Sequence, residues 1–253
     1  MHKSEDGLKL RFEVDKSSDS FVNSIRRMVI EEVPTLAVEE VEVHQNSSAL
    51  FDEMLALRLG LIPITTDLSS YSLPNSPEDI TERNASCTLE MGLKVAKKGV
   101  VYAEAASSKD PKCTFAYPKM PVVKLHAKQK VDVKLLAVMG QGKDHTKWSP
   151  GHVWFGGKPS LTIKQDSTLL EENKHKYPPQ IFDKSGKISK KQIEEANLYD
   201  AVDRVCDDLV TVSYAEESFV VDAESWGQLS VQEMLSTAAD MLGAKAAELE
   251  AQL

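Results

Sequence analysis

An α+β fold, with a split outer domain, a β-rich insert and a small third segment, is predicted by three features of this 253-residue sequence. Residues 21–67 read helix, strand, helix. From Cys87 to Met139, apolar and polar side chains alternate in short runs separated by turn residues, as in strands with one wet face. The chain closes on a long amphipathic stretch from Val231 to Leu253, so helical signals flank a β-rich middle.

Leu8, Leu10, Phe12 and Val14 alternate with Lys9, Arg11, Glu13 and Asp15, which predicts a strand paired in a sheet under the first helix. That helix follows Ser18, Asp19 and Ser20, whose side-chain oxygens suit a first turn, and stops before Pro34. Phe21, Ile25, Met28 and Val29 make its apolar stripe, with Arg26 and Arg27 off it. Val41 and Val43 alternate with Glu40, Glu42 and His44 as a half-buried strand. Ser47 or Ser48 then caps a second helix carrying Leu50, Met54, Leu57 and Leu61 on one side, with Gly60 and Pro63 marking its end. Residues 69–86, rich in Ser, Pro, Asn and acid, read as a long surface loop.

Leu89, Met91, Leu93 and Val95 alternate next; Lys97-Lys98-Gly99 looks like a turn, and residues 100–105 are expected to return as the partner strand. Further strands are expected at 122–126 and 131–139. Between 164 and 208 lysines and acids dominate, Tyr177-Pro178-Pro179 and Ser185-Gly186 break the chain, and Ile193, Leu198, Ala201, Val202 and Val205 outline a helix. Val210, Val212 and Tyr214 form a strand, with another starting at 218–221. Ser230 and Glu233 then spell a capping box, and Leu229 and Met234 a hydrophobic staple. Val231, Leu235, Ala238, Leu242, Leu249 and Leu253 follow as a stripe that needs a facing surface.

A chain of this length buries a substantial core, and its 27% charged and 42% hydrophobic residues are those of an ordinary globular protein. Nothing approaches the ~18 consecutive apolar residues of a membrane span, and the N-terminus lacks a secretory apolar core, so a cytoplasmic location is expected. The net charge of −9 has the wrong sign for holding DNA through its phosphates. Cys87, Cys113 and Cys206 are odd in number and far apart, which argues against a disulfide framework.

Four phrases, in order along the chain, closely resemble the alpha-like assembly subunits of cellular DNA-directed RNA polymerases, above all their archaeal members, relatives of bacterial alpha and of the third-largest eukaryotic subunit. They are FVNSIRRMVIEEVPTLAVEEV and LALRLGLIPI within residues 21–67, GKDHTKWSPG at 142–151, and FVVDAESWGQLSVQEMLSTAADML at 219–242. The resemblance implies a discontinuous alpha-subunit-type dimerisation domain, residues 1–40 and 209–253, a β-rich inserted domain at 41–163, and a small third domain at 164–208. It implies a non-catalytic scaffold, with the polymerase active site and its magnesium in the large subunits. Phe21, Ile25, Met28, Val29, Val231, Leu235, Ala238, Leu242 and Leu249 would form a core shared with a smaller L-like subunit. Arg26, Arg27, Leu57, Arg58, Gly60, Leu61, Pro63, His145, Lys147 and Trp148 would dock the large subunits, the second-largest catalytic one among them. Small N- and P-like subunits would also be recruited.

Some relatives hold iron–sulfur clusters in the segment matching 164–208, and eukaryotic ones hold zinc near the start of the insert. Here only Cys206 lies in the first region and Cys87 stands alone in the second, so neither metal is expected. Bacterial alpha subunits continue into a DNA-binding domain; this chain ends after its long helix, so no direct DNA binding is expected.

Two rival readings come from other classes. Asp144, His145 and His152 have the chemistry of a small hydrolase, although His-x6-His without Cys or Glu at ligand spacing is a weak metal motif. The helix stripes also suit a free-standing homodimeric binding protein. In the family the loop holding His145 and Trp148 is usually spelled HAKWSP and docks partners; here Thr146 replaces the alanine.

Overall fold

A short β1 (His2–Lys3) pairs antiparallel with β2 (Lys9–Asp15), the strand foreshadowed by Leu10, Phe12 and Val14. The computed structural model describes residues 2–4, 7–164 and 167–252. They fall into two units: Met1–Phe12, Ser20–Trp154 and Asp222–Leu253 form the first, Glu13–Asp19 and Phe155–Val221 the second. Leu253, the last residue of the terminal stripe, lies outside the described residues.

In the first unit, α1 (Asp19–Arg27) does not run on to Pro34 as a regular helix. Its backbone widens into a π-helical turn, Met28–Glu32, closed by the Val33 N–H donating to the Met28 carbonyl at 3.1 Å. β3 (Thr35–Asn46) follows at once.

The second helix, α2 (Asp52–Gly60), starts later than either serine would place it. Ser48 is spent in the preceding turn, where its N–H and hydroxyl both reach Asn46 Oδ1. Gly60 is the last helical residue, as expected, and the helix closes on a right-handed cap at Leu61. Its buried side chains are Leu55 and Leu59, whereas Met54, Leu57 and Leu61 face outward. The segment has two apolar stripes, and periodicity did not reveal which one meets the core.

The 69–86 loop contains one short helix, α3 (Pro77–Thr81), begun by Asp79, whose carboxylate accepts the Ser76 N–H. Five residues without an apolar face leave no periodic signal. β4 (Thr88–Val95) does not pair with the segment after Gly99. Instead β5 (Gly99–Tyr102), then β6 (Ala106–Ser108), β7 (Pro121–Leu125) and β8 (Val131–Gly140) sort into two sheets, of order β3-β8-β4-β6 and β5-β7. β4 is taken along its whole length by β8, Thr88 opposite Val138 and Val95 opposite Val131. Leu36, Leu55, Leu59, Leu93, Leu125, Leu135 and Met139 fill one core between these sheets and α2.

Beside this core Glu90 gathers Arg83 at 3.1 Å, Lys134 at 3.0 Å and Lys109. The three cations, Lys109 foremost, hold its carboxyl at about 2, well below the ordinary 4.5. A depressed carboxyl stabilises the fold fully above its unfolded value and loses that contribution as pH falls through the folded one. Glu90→Gln is therefore expected to be less stable than the parent at pH 7. In urea titrations the gap should close between pH 4.5 and about 2; a gap independent of pH would contradict the assignment.

The second unit takes most of β9 (Gly151–Ile163) and β10 (Val210–Ser225), which stand in a sheet of order β1-β2-β10-β9. β10 is one long strand, not the two expected. Between them, α4 (Ser167–Asn173), α5 (Lys190–Glu195) and α6 (Tyr199–Val202) are short. The single helix expected around Ile193 to Val205 is broken at Asn197, whose φ of 51° takes it out of the helical region. Tyr177, Ile181, Ile188, Ile193, Val202 and Leu209 pack into this unit's own core.

The chain returns to the first unit with α7 (Val231–Gln252). Its capping box is formed as spelled: the Ser230 N–H donates to Glu233 at 3.0 Å, and the Glu233 N–H to Ser230 Oγ at 3.2 Å. α7 packs on the π turn. Glu32 ties the two together, accepting Lys245 at 2.8 Å and Lys143 at 3.2 Å, and these partners, Lys245 first, lower its pKa.

Candidate functional site

A β-bulge sets up the most distinctive surface. Val38 pairs with Ala137 and Glu40 with Leu136, so Glu39 is the extra residue of β3. Lys147 uses both consequences: its ammonium ion-pairs with Glu39 and donates to the Val38 carbonyl at 3.1 Å. The same ammonium lies 4.4 Å from the ring centroid of Trp148. The Trp148 indole N–H donates to the Val138 carbonyl at 3.0 Å, and the ring occupies the space that a Cβ on Gly140 would need, 2.5 Å away. Lys147 and Trp148 are thus bound first to their own chain and shape the loop from within. His145 caps the following turn, its Nδ1 accepting the Lys147 N–H at 3.1 Å.

This loop faces α2. Leu57, Gly60, Leu61, His145 and Lys147, named separately from the sequence, line one groove of about 280 Å³ with Val38, Glu39, Val41 and Ala56. Leu57 and Leu61 are 56% and 55% exposed, and Phe51 and Met54 extend the same apolar surface. Phe51 lies just before the helix, at its N-cap, outside the periodic stripe. Arg58 is turned aside, donating to the Pro121 carbonyl at 2.7 Å, and Pro63 is half-buried.

The arginine pair divides. Arg27 forms a two-pronged bond to Glu31, at 3.1 and 2.9 Å, while Arg26 donates to Asn23 at 3.1 Å. The helix stripes divide too. Met28, Val29, Val231 and Ala238 are buried by their own chain, so their side chains serve its interior. Ile25, Leu235 and Leu242 are half-buried, and Phe21 and Leu249 are 54% and 61% exposed.

The hydrolase constellation is not assembled as such. His145 Nδ1 is occupied as a cap, Asp144 is exposed, and His152 stacks on Trp154 at 5.4 Å between centroids. Among the described residues no three His, Cys, Asp or Glu side chains gather as metal ligands. Cys87 and Cys113 are buried in the first unit, where burial pushes the Cys113 thiol up to about 11. Cys206 is half-buried and lies in the other unit.

Residues 41–152 match the family model described as the RNA polymerase Rpb3/RpoA insert domain. The chain is also similar along its length to proteins named DNA-directed RNA polymerase subunit Rpo3. That of Methanosarcina acetivorans is 34% identical over 246 residues, covering 94% of this chain and 92% of the relative. Those of Methanopyrus kandleri (31%, covering 100% and 94%) and Thermococcus kodakarensis (33%, covering 92% and 89%) are similar over comparable spans.

Proposed function

The chain belongs to the family of DNA-directed RNA polymerase Rpo3 subunits, and we propose that its work in that enzyme is assembly, not catalysis. The observation that carries this reading is the outward apolar side of α2. Helices of a self-sufficient protein turn such rows inward, yet here Leu55 and Leu59 supply the core while Phe51, Met54, Leu57 and Leu61 remain exposed, Leu57 and Leu61 lining a shaped groove. In this reading the groove receives the second-largest catalytic subunit.

Phe21, Ile25, Leu235, Leu242 and Leu249 supply a second surface, for a smaller L-like subunit. The buried Met28, Val29, Val231 and Ala238 hold the two helices in the geometry that presents it. Leu235, Leu242 and Leu249 recur every seven residues, the spacing of a helix-packing seam. The outer domain, residues 1–40 and 209–253, would then be the dimerisation domain, with the insert at 41–163 and the third domain at 164–208. N- and P-like small subunits complete the proposed set of partners, and the location is the cytoplasm. Among the described residues no helix is long and apolar enough to cross a membrane.

Reversing both arginines, Arg26→Glu with Arg27→Glu, tests the division of faces. The expected result is a heterodimer with the L-like subunit that still forms but recruits the large subunit at least tenfold less well in pull-downs, since a bidentate arginine is not replaced by an acid. Loss of the heterodimer itself would refute the division.

A further inference from the structure

Charge is not spread evenly along this acidic chain. A net charge of −9 argues against DNA contact by the molecule as a whole, yet between residues 174 and 191 six lysines stand against one acid, Asp183. The whole stretch lies in the second unit, where the fold gathers it in three pieces. Lys174 and Lys176 occupy the turn before Tyr177, Lys184 and Lys187 the loop closed by the Phe182–Ile188 bridge, and Lys190 and Lys191 the start of α5. The pieces touch. The Lys174 ammonium lies 5.5 Å from the Phe182 ring centroid and 3.5 Å from the Cβ position of Gly186, and the Ser189 N–H donates to the Ile181 carbonyl at 2.8 Å. Tyr177, Ile181, Ile188 and Ile193 are buried and anchor the backbone, whereas all six lysines are exposed.

The surroundings leave that charge largely uncompensated. Asp183 is occupied within its own turn, accepting the Ser185 N–H at 2.8 Å and the Lys187 N–H at 3.0 Å. Lys190 and Lys191 reach Glu194 and Glu195 at 3.7 and 3.6 Å, exposed pairs of little strength. Among the described residues Lys174, Lys176 and Lys184 form no ion pair, and Lys187 senses Asp183 without ion-pair contact. Like charges held together repel one another, and a polyanion relieves the repulsion.

The same surface restricts which polyanion fits. Between 174 and 191 no large apolar side chain is exposed, so the desolvated anchors on which protein partners depend are missing. Neither Tyr177, which is buried, nor Phe182, which is half-buried with the Lys174 ammonium over its ring, offers a platform for stacking the bases of a single strand. Lysine, a compact point charge, is suited to phosphates and reads no bases.

We propose that this lysine cluster holds the phosphate backbone of duplex DNA, without base specificity, in the assembled polymerase. The proposal rests on the chain's place in a DNA-directed RNA polymerase and not on which faces dock the other subunits.

The test uses polymerase assembled with the full chain carrying Lys176→Gln, Lys184→Gln, Lys187→Gln and Lys191→Gln. Affinity for a fluorescent DNA duplex is measured across a salt series. It should fall about tenfold or more at low salt, and the plot of log K against log salt should become shallower by about 2 to 4, because each lost phosphate contact removes ~0.9 from the slope. Changing Lys97, Lys98, Lys119 and Lys124 to Gln, all exposed and in the other unit, alters net charge equally and should leave both quantities as in the parent. A benzophenone amino acid at His175, exposed between two of the lysines, should cross-link to the DNA. An unchanged slope, equal losses from the two sets, or cross-links to protein alone, which would mark an acidic polypeptide as the occupant, would overturn the proposal and leave the assembly reading standing. A parent chain that never enters the polymerase would refute the assembly reading and this proposal with it.

Discussion

Gly142→Ala is expected to destabilise the protein by about 3 kcal/mol or more, the upper range for a side chain forced into filled space. A Cβ there would lie 1.9 Å from the Ile30 carbonyl oxygen, a backbone atom that no rotamer change can move aside. The contact arises because the loop after β8 runs along the π turn. The Lys143 N–H donates to the Glu31 carbonyl at 3.0 Å, and the Gln141 amide donates to the Glu32 carbonyl at 2.7 Å. Widening that contact would shift the turn that carries Met28 and Val29 and the Glu32 ion pairs to Lys143 and Lys245. Gly243→Ala is the matched control: nothing lies within 4 Å of its Cβ position, and in a helix interior alanine should stabilise by about 1 kcal/mol. Thermal melts of the two variants should move in opposite directions. A Gly142→Ala midpoint equal to the parent's would contradict the packing of the loop on the turn.

The double change Leu57→Asp with Leu61→Asp is expected to leave the fold within about 0.5 kcal/mol of the parent, because both side chains are more than half exposed. Recruitment of the proposed second-largest subunit should fall by ~100-fold or more, because two central apolar anchors of a desolvated patch become charges. Leu55→Asp behaves oppositely: Leu55 is fully buried, and the fold itself should fail. Chemical denaturation beside a pull-down with the preformed heterodimer separates the cases. Unchanged recruitment by the double variant would remove α2 from the docking surface.

How far the sequence foretold this arrangement depends on the range of the interaction. Local signals were legible: the capping box at Ser230 and Glu233, the alternation in β2, β4 and the first half of β8, and the amphipathic α7 are all present, although β8 is buried on both faces from Leu135 on. Partner choice was not. β5, Gly-Val-Val-Tyr, is apolar enough for a strand, and that composition is silent on whether β4 or β7 lies beside it. The bulge at Glu39 left no mark in composition, yet it decides that Lys147 turns inward to the Val38 carbonyl.

In the site itself, the motif around Leu57, Leu61, His145 and Lys147 pointed to residues that do meet around one groove. Which side of each stripe faces out was settled by long-range packing. Met28, Val29, Val231 and Ala238 are filled from within, while Leu57 and Leu61 are not. Tyr117 lies about a hundred residues before Trp226 and Gln228 in sequence, so these neighbours around one pocket give no shared signal until folded.

The most direct test of the assembly reading is the mass in solution of this chain expressed alone and together with the smaller L-like subunit. Light scattering behind a sizing column should give ill-defined oligomers for the chain alone and a single one-to-one heterodimer for the pair, dissociated by Leu235→Asp with Leu242→Asp. A well-behaved monomer that ignores the L-like subunit would contradict it.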